Sequence, residues 1–332
     1  MSYIYLTEHS AKLSISENRL IVTKEKEILE SVPIEIVEAV NVYGNGQVTT
    51  QCIHECLKRE IPIIYYSHNG RYYGRLQPDG HIGVLRQRKQ AVFNTSSVAL
   101  ELAKKIIGAK IQNQTVILRR YAYERKLDFS EKYLRMHISR GKTSEAKAIN
   151  ELMGYEGNAA RVYFESLIEL VTPDFRFHGR NRRPPQDPFN SMISLGYSIL
   201  MNEVYGKLVA KGLNPYLGFI HQDRENHPAL ASDLMEEWRM IIVDSTVLSL
   251  ITGHEIFIDH FRVGEDGGVY LTQEGMKIYM RKLEKKFRQE NRYLSYIKTP
   301  VSFRRAIESQ VNAFAHVLDD DDIGVYEPII IR

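Results

Sequence analysis

The sequence predicts an α+β protein: a small β-rich domain over residues 1–83 joined to a larger all-α domain over 84–332. Up to about residue 85, apolar residues alternate with polar ones or gather in β-branched runs, the pattern of strands. Beyond that point they recur three and four apart, the pattern of helices. Between the two, "QPDGHIG" (77–83) is dense in turn formers and marks a linker.

The elements follow in order. "YIYLTE", "KLSISENRLIVTK" and "PIEIVEAVNVYG" read as strands, with "SEN" (16–18) turning between two of them. "TTQCIHECLKRE" (49–60) switches to helical period, and "IPIIYYS" returns to a strand. "HNG" (68–70) carries the Asn-Gly pair of tight hairpins, with "RYYGRL" as the returning strand. The expectation is one small sheet with one helix. Past the linker come "SVALELAKKIIGAKIQNQTVILRRYAYER", "SEAKAINELMG" and "AARVYFESLIELV", then "NSMISLGYSILMNEVYGKLVAKG", "DLMEEWRMIIVDSTVLSLI" and "TQEGMKIYMRKLEKKFRQE", all with helical spacing. One helix is expected to begin in "GYEGNAARVYF", after a turn at Gly154, and another near Ala229. "RNRRPPQDP" (180–188) reads as a basic, mobile loop, and the tail "LDDDDIGVYEPIIIR" as acidic, then extended and peripheral.

At 332 residues and 43% hydrophobic, the chain can bury the cores of two domains. No apolar run is long enough to span a bilayer. The N-terminus lacks the basic start and apolar core of a signal peptide. A cytoplasmic protein without membrane contact is expected. Cys52 and Cys56 are neighbours on a helix with no further ligands at zinc-knuckle spacing, so they read as reduced thiols. The net charge of +3 decides nothing by itself. Its distribution says more: basic residues gather in "RQRKQ" (86–90), "RRYAYERK" (119–126) and "FRFHGRNRR" (175–183), the last two interleaved with aromatics. Any one such patch can be a solvated face; three together point to a polyanion. The phosphate-binding Gly-x-x-x-x-Gly-Lys loop, the His-Glu-x-x-His helix and the Gly-x-Ser-x-Gly elbow are all missing from the sequence. That argues against an NTPase, a zinc protease or a serine hydrolase.

The chemistry-bearing residues gather in a few short stretches. Asp233 and Glu236 are three apart on the helix expected from Ala229, so their side chains point the same way. They form either a solvated acidic face or half of a cation site. His221 ends the apolar stretch "LNPYLGFI", as a satisfied core histidine or as a ligand. His227 lies in the polar stretch "QDRENHP" and reads as solvated. Glu156, at the expected helix start, either complements the helix dipole or contributes a third ligand. Carboxylates with one imidazole suit Mg²⁺, Mn²⁺ or Zn²⁺, and basic loops nearby suit a phosphodiester.

Four blocks, "GYEGNAARVYF", "GRNRRPPQDPFNSMISLGYSILMNEV", "GLNPYLGFIH" and "SDLMEEWR", in this order, resemble the CRISPR-associated integrase family Cas-one (Cas1). The similarity spans most of 150–285 and includes "LTQEGMKIYMRKLEKKF". The resemblance implies an N-terminal β-rich dimerisation domain and a C-terminal helical, metal-dependent catalytic domain. It implies Glu156, His221 and Glu236 as ligands of Mg²⁺ or Mn²⁺, with Asp233 orienting the site or sharing the ion. Many relatives carry Asp where Glu236 stands. Asn190 and Tyr197 match recurrent positions and read as structural. The implied activity is a DNA endonuclease and integrase that inserts spacer DNA into the CRISPR repeat by attack of a 3′-hydroxyl on a phosphodiester. The implied partners are DNA, a second copy of the chain in a homodimer, and the small protein Cas-two (Cas2). Arg176, Arg180, Arg182 and Arg183 are the expected DNA contacts, with Phe175, Phe177 and His178 placed to stack on unpaired bases. Two other functions fit the same residues: a repair nuclease acting on branched DNA, and a catalytically silent DNA-binding scaffold.

Overall fold

The computed structural model describes residues 2–78, 83–222, 224–292 and 297–331. The chain clusters into two compact units. One is Met1–Gly80 with His260–Arg262 and Tyr270–Lys277; the other is His81–Asp259, Val263–Val269 and Ile278–Arg332. Of the linker expected over 77–83, residues 79–82 lie outside the described residues.

The first unit holds two four-stranded sheets where the sequence pattern suggests one. Its strands are β1 (Ser2–Leu6), β2 (Lys12–Ser16), β3 (Arg19–Lys24), β4 (Glu27–Pro33), β5 (Val37–Tyr43), β6 (Gln47–Val48), β7 (Ile63–Tyr66) and β8 (Tyr72–Leu76). One sheet has the order β1-β5-β7-β8, with β1, β5 and β7 parallel and β8 antiparallel. The other has the order β4-β3-β2-β6. The turn at Glu17 and Asn18 has both φ positive and joins the paired residues Ser16 and Arg19, the tight hairpin geometry. A second turn of the same kind, at Glu25 and Lys26, leads into β4. It is built without Gly or Asn, and the first five residues of β4 are all exposed. Neither turn chemistry nor alternation therefore betrays that strand. One core serves both sheets: Leu6, Val40, Val42 and Ile63 pack with Leu13 and Leu20, and α1 (Thr50–Lys58) adds Cys52 and Cys56. Both thiols are free and buried. The late residues join this unit through Glu8, which accepts from Gln273 at 2.9 Å and pairs with Lys277.

The second unit is helical: α2 (Val84–Phe93), α3 (Ser97–Arg125), α4 (Ser130–Glu145), α5 (Ile149–Leu170), α6 (Pro188–Ala210), α7 (Ala229–Leu234) and α8 (Ser245–Thr252), then α9 (Gln273–Arg288) from Ile278 on and α10 (Phe303–Asp320). Ser96 caps α3 by accepting from the Ala99 N–H at 3.1 Å, and Lys126 ends it in the left-handed region. Its 29 residues span about 44 Å at 1.5 Å each, and α4 and α5 pack along it. "SEAKAINELMG", expected as one helix, is broken at Ala146–Ala148 between α4 and α5. Asp187 caps α6 by accepting from the Asn190 N–H at 2.7 Å, with Pro188 at the first helical position. A side chain at Gly196 on α6 would put Cβ 2.2 Å from the Tyr279 hydroxyl and 2.4 Å from Val243, so only glycine fits. Phe303, Ile307, Val311, Phe314 and Leu318 form the buried stripe of α10, each worth about 1.5–3 kcal/mol.

The tail is not peripheral. Tyr326, Ile329 and Ile331 are buried. Asn113 of α3 donates to the Ile329 carbonyl at 2.9 Å and accepts from the Ile331 N–H at 3.0 Å. Glu237 accepts from the Ile329 N–H at 2.7 Å and from the Tyr326 hydroxyl at 2.9 Å. The acidic start of the stretch hides these apolar anchors from a reading by charge.

Candidate metal centre

Three backbone segments of the helical unit build the centre, and α3 adds a lysine. Helix α5 brings Glu156. It begins at Ile149 and runs through Gly154 without a break, so Glu156 does not open the helix. The dipole acts within the first turn, and that explanation of Glu156 falls away. The helix expected from Ala229 is short. After α7 the chain turns at Met235–Trp238, winds with π pitch over Arg239–Asp244 and continues as α8. Such irregular winding recurs at functional sites. Here it separates Glu236, which faces the centre, from Glu237, which faces the tail.

His221 comes from the segment before α7. Phe219 stacks on Phe314 at 5.6 Å and meets Phe93 edge-on at 5.4 Å, which anchors the approach. Asp233 then fixes the backbone. Its Oδ2 accepts from the N–H groups of Phe219 and Ile220 at 2.7 and 3.0 Å. Its Oδ1 accepts from the His221 N–H at 3.0 Å and lies 2.7 Å from His221 Nδ1. Both oxygens thus have two partners, and the geometry of Asp233 is that of an orienting residue. Gly218 makes this approach possible: a Cβ there would fall 2.8 Å from Asp233 Oδ2 and 2.7 Å from the Ala229 methyl. A proton on Nδ1 satisfies the contact to Asp233 and leaves Nε2 its lone pair. Nε2 lies 3.5 Å from Glu236 Oε1, so a proton or a cation is needed between them. His227, read as solvated, is half-buried and lies 3.1 Å from the Ser232 hydroxyl.

Lys110 stands between the two glutamates, with Nζ 2.5 Å from Glu156 Oε1 and 2.6 Å from Glu236 Oε2. The contact to Glu236 Oε2 is an ion pair, the shorter of the two cationic contacts that Glu236 makes. Arg239 reaches Glu236 Oε1 at 2.9 Å. Its guanidinium lies 5.1 Å from the Tyr197 ring centroid. Tyr197 and Tyr163 in turn donate to the two oxygens of Asp244 at 2.7 and 2.9 Å. Burial pushes the Glu236 carboxyl up, but Arg239 and Lys110 outweigh it and hold it at about 2. Burial works against the Lys110 charge, and Glu236 and Glu156 outweigh it and raise the ammonium. The Glu236 side chain is 2% exposed, Glu156 13% and His221 28%, so the centre opens to solvent on its histidine side. Sequence reasoning missed Lys110 and Arg239. A lone lysine inside the buried run "IIGAKIQ" was a readable signal, since a lysine is almost never fully buried without a partner.

This donor set fits a divalent cation. Among the described residues no three His, Cys, Asp or Glu side chains close on one point as they stand. The Lys110 ammonium stands between the Glu156 and Glu236 carboxylates. Carboxylate oxygens and one imidazole nitrogen, the latter backed by a second carboxylate, suit Mg²⁺ or Mn²⁺.

The four arginines divide. Arg176, Arg182 and Arg183 are exposed. Arg180 turns inward: it donates to the Asn181 carbonyl at 2.5 Å, to Asn190 Oδ1 at 2.8 Å and to the Ser194 hydroxyl at 3.1 Å, 5.6 Å from the Tyr197 ring centroid. Phe175 and Phe177 are buried, and Phe177 stacks on Phe189 at 4.2 Å, so neither meets an unpaired base. The stretch expected to be mobile is pinned. Asn181 accepts from the Gln186 N–H at 2.8 Å and donates to Asp187 at 3.0 Å, and Asn190 donates to the Gly179 carbonyl at 2.9 Å.

Fold and centre define a class: a two-unit α+β protein whose helical unit buries a carboxylate–histidine cluster. The family model described as CRISPR associated protein Cas1 matches residues 4–285. A CRISPR-associated endonuclease Cas1 of Mycobacterium tuberculosis (strain CDC 1551 / Oshkosh) is 35% identical over 323 residues, 96% of this chain and 94% of that protein. A solved Cas1 protein from Thermotoga maritima has a TM-score of 0.80 at 25% identity, covering 96% of this chain and 97% of that one. A chain of a Cas6-RT-Cas1–Cas2 complex has a TM-score of 0.83 at 25% identity, covering 98% of this chain but only 36% of that longer one. The chain belongs to the CRISPR-associated Cas1 family.

Proposed function

We propose that the chain is a divalent-metal-dependent DNA endonuclease and integrase of CRISPR adaptation. The observation that carries this is the pair of buried carboxylates, Glu156 and Glu236, on separate segments with only the Lys110 ammonium between them and His221 Nε2 alongside. Glu156, Glu236 and His221 Nε2 would hold Mg²⁺ or Mn²⁺, and a bound ion supplies Lewis-acid polarisation of a phosphoryl oxygen. Asp233 keeps the imidazole turned with Nδ1 inward. Lys110 and Arg239 keep Glu236 ionised. The reaction needs no protein nucleophile. A DNA 3′-hydroxyl attacks phosphorus, a new P–O bond forms, the old one breaks and the departing 3′-oxygen takes up the proton. Phosphodiester number is conserved, in keeping with a sequence that has no Gly-x-x-x-x-Gly-Lys loop. Water in place of the hydroxyl gives cleavage.

The proposed partners are spacer-precursor DNA, the CRISPR repeat and Cas2; the similarity to a chain of a Cas1–Cas2 complex supports the last. A homodimer through the β-rich unit is supported by exposed Ile28 and Leu29 on β4 and Tyr73 and Leu76 on β8, the outer strands of the two sheets. The proposed location is the cytoplasm; no helix of the described residues is long and apolar enough to cross a membrane.

The test is integration of a short duplex into a repeat-bearing plasmid by the purified chain with Cas2, with Mn²⁺, with Mg²⁺ and with chelator. Metal-dependent insertion is expected. Insertion that survives chelation would overturn the metal reading. Cleavage of branched DNA without insertion would favour the repair nuclease, and binding without either reaction the silent scaffold.

A further inference from the structure

The turn that carries Glu236, Met235–Trp238, lies between α7 and the stretch of π pitch and belongs to no helix. Helix α3 touches this turn twice. Lys110 pairs with the Glu236 carboxylate at 2.6 Å. Asn113, three residues on and so on the same face of the helix, donates to the Glu237 carbonyl at 3.4 Å. The tail closes this second contact with both halves of one backbone residue. The Ile329 N–H donates to the Glu237 carboxyl at 2.7 Å, and the Ile329 carbonyl accepts from Asn113 at 2.9 Å. Asn113 Oδ1 accepts from the Ile331 N–H at 3.0 Å. Asn113 is wholly buried, and its amide nitrogen and its oxygen are both committed to turn and tail. The Tyr326 hydroxyl donates to Glu237 at 2.9 Å, and Gln310 donates to the same carboxyl while accepting from the Trp238 indole at 2.5 Å.

Side chains seat the tail as firmly as its backbone. Ile329 and Ile331 are buried and Ile330 between them is exposed, the alternation of an extended segment. Lys105, also on α3, donates to the carbonyls of Ile323 and Tyr326 at 2.9 and 3.2 Å. The segment lies beyond residues 4–285, which the family model matches. Without it, the buried Asn113 amide and the Glu237 carboxyl would lose partners, and turn and helix would shift to satisfy them. The same turn carries Glu236 and the same helix carries Lys110, so the shift would reach the centre. We infer that the tail segment Tyr326–Ile331 is a positioning element for the metal centre: docked on Asn113 and Glu237, it sets Glu236 against Lys110 and so sets the carboxylate spacing that an ion meets. The effect on the ion rests on the metal reading; the effect on Lys110 does not. The clamp needs an acceptor at Glu237 and not a charge, so an amide there keeps it.

The test compares the full chain with its Ile329→Ala/Ile331→Ala variant, which removes the apolar anchors of the tail. The control is Leu283→Ala, at a buried position on α9 that makes none of these contacts. All are studied at a temperature where circular dichroism shows them folded. Two quantities are read: the Mn²⁺ dissociation constant by calorimetry, and the rate at which acetic anhydride labels Lys110 in the absence of metal. The tail variant should bind Mn²⁺ about ten-fold more weakly, and its Lys110 should be labelled about ten-fold faster. Leu283→Ala should move neither quantity, and Ile329→Val/Ile331→Val should keep both at wild-type values. Unchanged labelling in the folded tail variant overturns the inference. So does an unchanged Mn²⁺ affinity where the wild type binds the ion, or an equal effect of Leu283→Ala. If the wild type binds no Mn²⁺ while labelling responds as expected, the metal reading falls and the positioning of Glu236 by the tail stands. Should the double variant not fold, Tyr326→Phe decides: loss of one donor to Glu237 should speed Lys110 labelling about three-fold, and an unchanged rate overturns the inference.

Discussion

Glu236 faces Lys110, Arg239 and His221, whereas Glu237, one residue on, faces Gln310, Tyr326 and the Ile329 N–H. Both are buried. Glu236 is surrounded by charge and is held at about 2. Glu237 has only neutral donors, and burial pushes it up to about 8. One turn of chain thus carries an ionised carboxylate on the side of the candidate centre and a neutral one on the structural side, toward the tail. Burial alone does not decide a carboxyl's charge; what matters is whether cations compensate it.

The strongest way to break this contrast is to remove the side of the candidate centre. Glu156→Ala, His221→Ala and Glu236→Ala should each lower integration about 10³-fold or more, since each deletes a proposed ligand of a charge-stabilising ion. Circular dichroism should report an intact fold. Near-normal turnover in any one variant would strike that residue from the centre.

Lys110→Met sharpens the same side. It leaves two buried carboxylates without their ammonium, so the metal-free chain should lose about 3–5 kcal/mol. Mn²⁺ should restore the thermal midpoint and bind more tightly than in wild type, because the competing cation is gone. Unchanged Mn²⁺ affinity would mean that Lys110 does not stand in the ion's place.

Asp233→Asn comes next. The amide keeps one acceptor oxygen where the carboxylate serves three N–H groups and an imidazole. Metal affinity should fall about 10–100-fold through loss of the oriented ring. Stability should fall by about 1–3 kcal/mol through the unsatisfied donors. Normal metal affinity would show that His221 holds its orientation without Asp233.

These residues also show what the sequence makes legible. The change from strand period to helix period marks the shift from β-rich to helical unit, because side-chain alternation and three-to-four spacing are local properties. His221, Asp233 and Glu236 stand out locally too. Their roles do not. Asp233 and Glu236 share a helical phase, but the chain stops winding as a regular helix after Leu234, and one turns to backbone while the other turns to Lys110. Lys110 lies 126 residues from Glu236 in sequence, and no local pattern joins them. The anchoring of the tail is hidden from the sequence for the same reason: its partners, Asn113 and Glu237, are distant.

On the structural side, Glu237→Gln tests the neutral carboxyl. The folded value of about 8 lies above the ordinary 4.5, so the folded chain keeps a proton that the unfolded chain releases. Stability from this group is full below about pH 4.5 and is lost as pH rises to about 8, on the order of a few kcal/mol in all. Glu236 runs the other way: its contribution is present above about pH 4.5 and lost as pH falls through about 2. Glu237→Gln should flatten the decline between pH 5 and 8 in denaturant titrations, with integration changed less than about two-fold. A decline as steep as in wild type would place its origin in another group.

The smallest expected effect concerns the arginines, where exposure separates Arg176, Arg182 and Arg183 from Arg180. An exposed guanidinium can release a counterion from DNA, whereas one committed to Asn190 and Ser194 cannot without breaking those bonds. Arg176→Ala/Arg182→Ala/Arg183→Ala should weaken binding of a splayed-end duplex and reduce the salt slope by up to about 3, roughly one for each phosphate contact. Metal binding should not change, because none of the three touches Glu156, His221 or Glu236. Arg180→Ala should act differently: it removes one of the two donors to Asn190 Oδ1, leaving the Asn181 N–H at 3.3 Å, and lowers the melting midpoint, with the slope unaltered while the fold persists. If the triple variant keeps the wild-type slope, these arginines do not meet phosphate, and the DNA path runs instead over the basic stretch of Arg119, Arg120 and Arg125 at the end of α3.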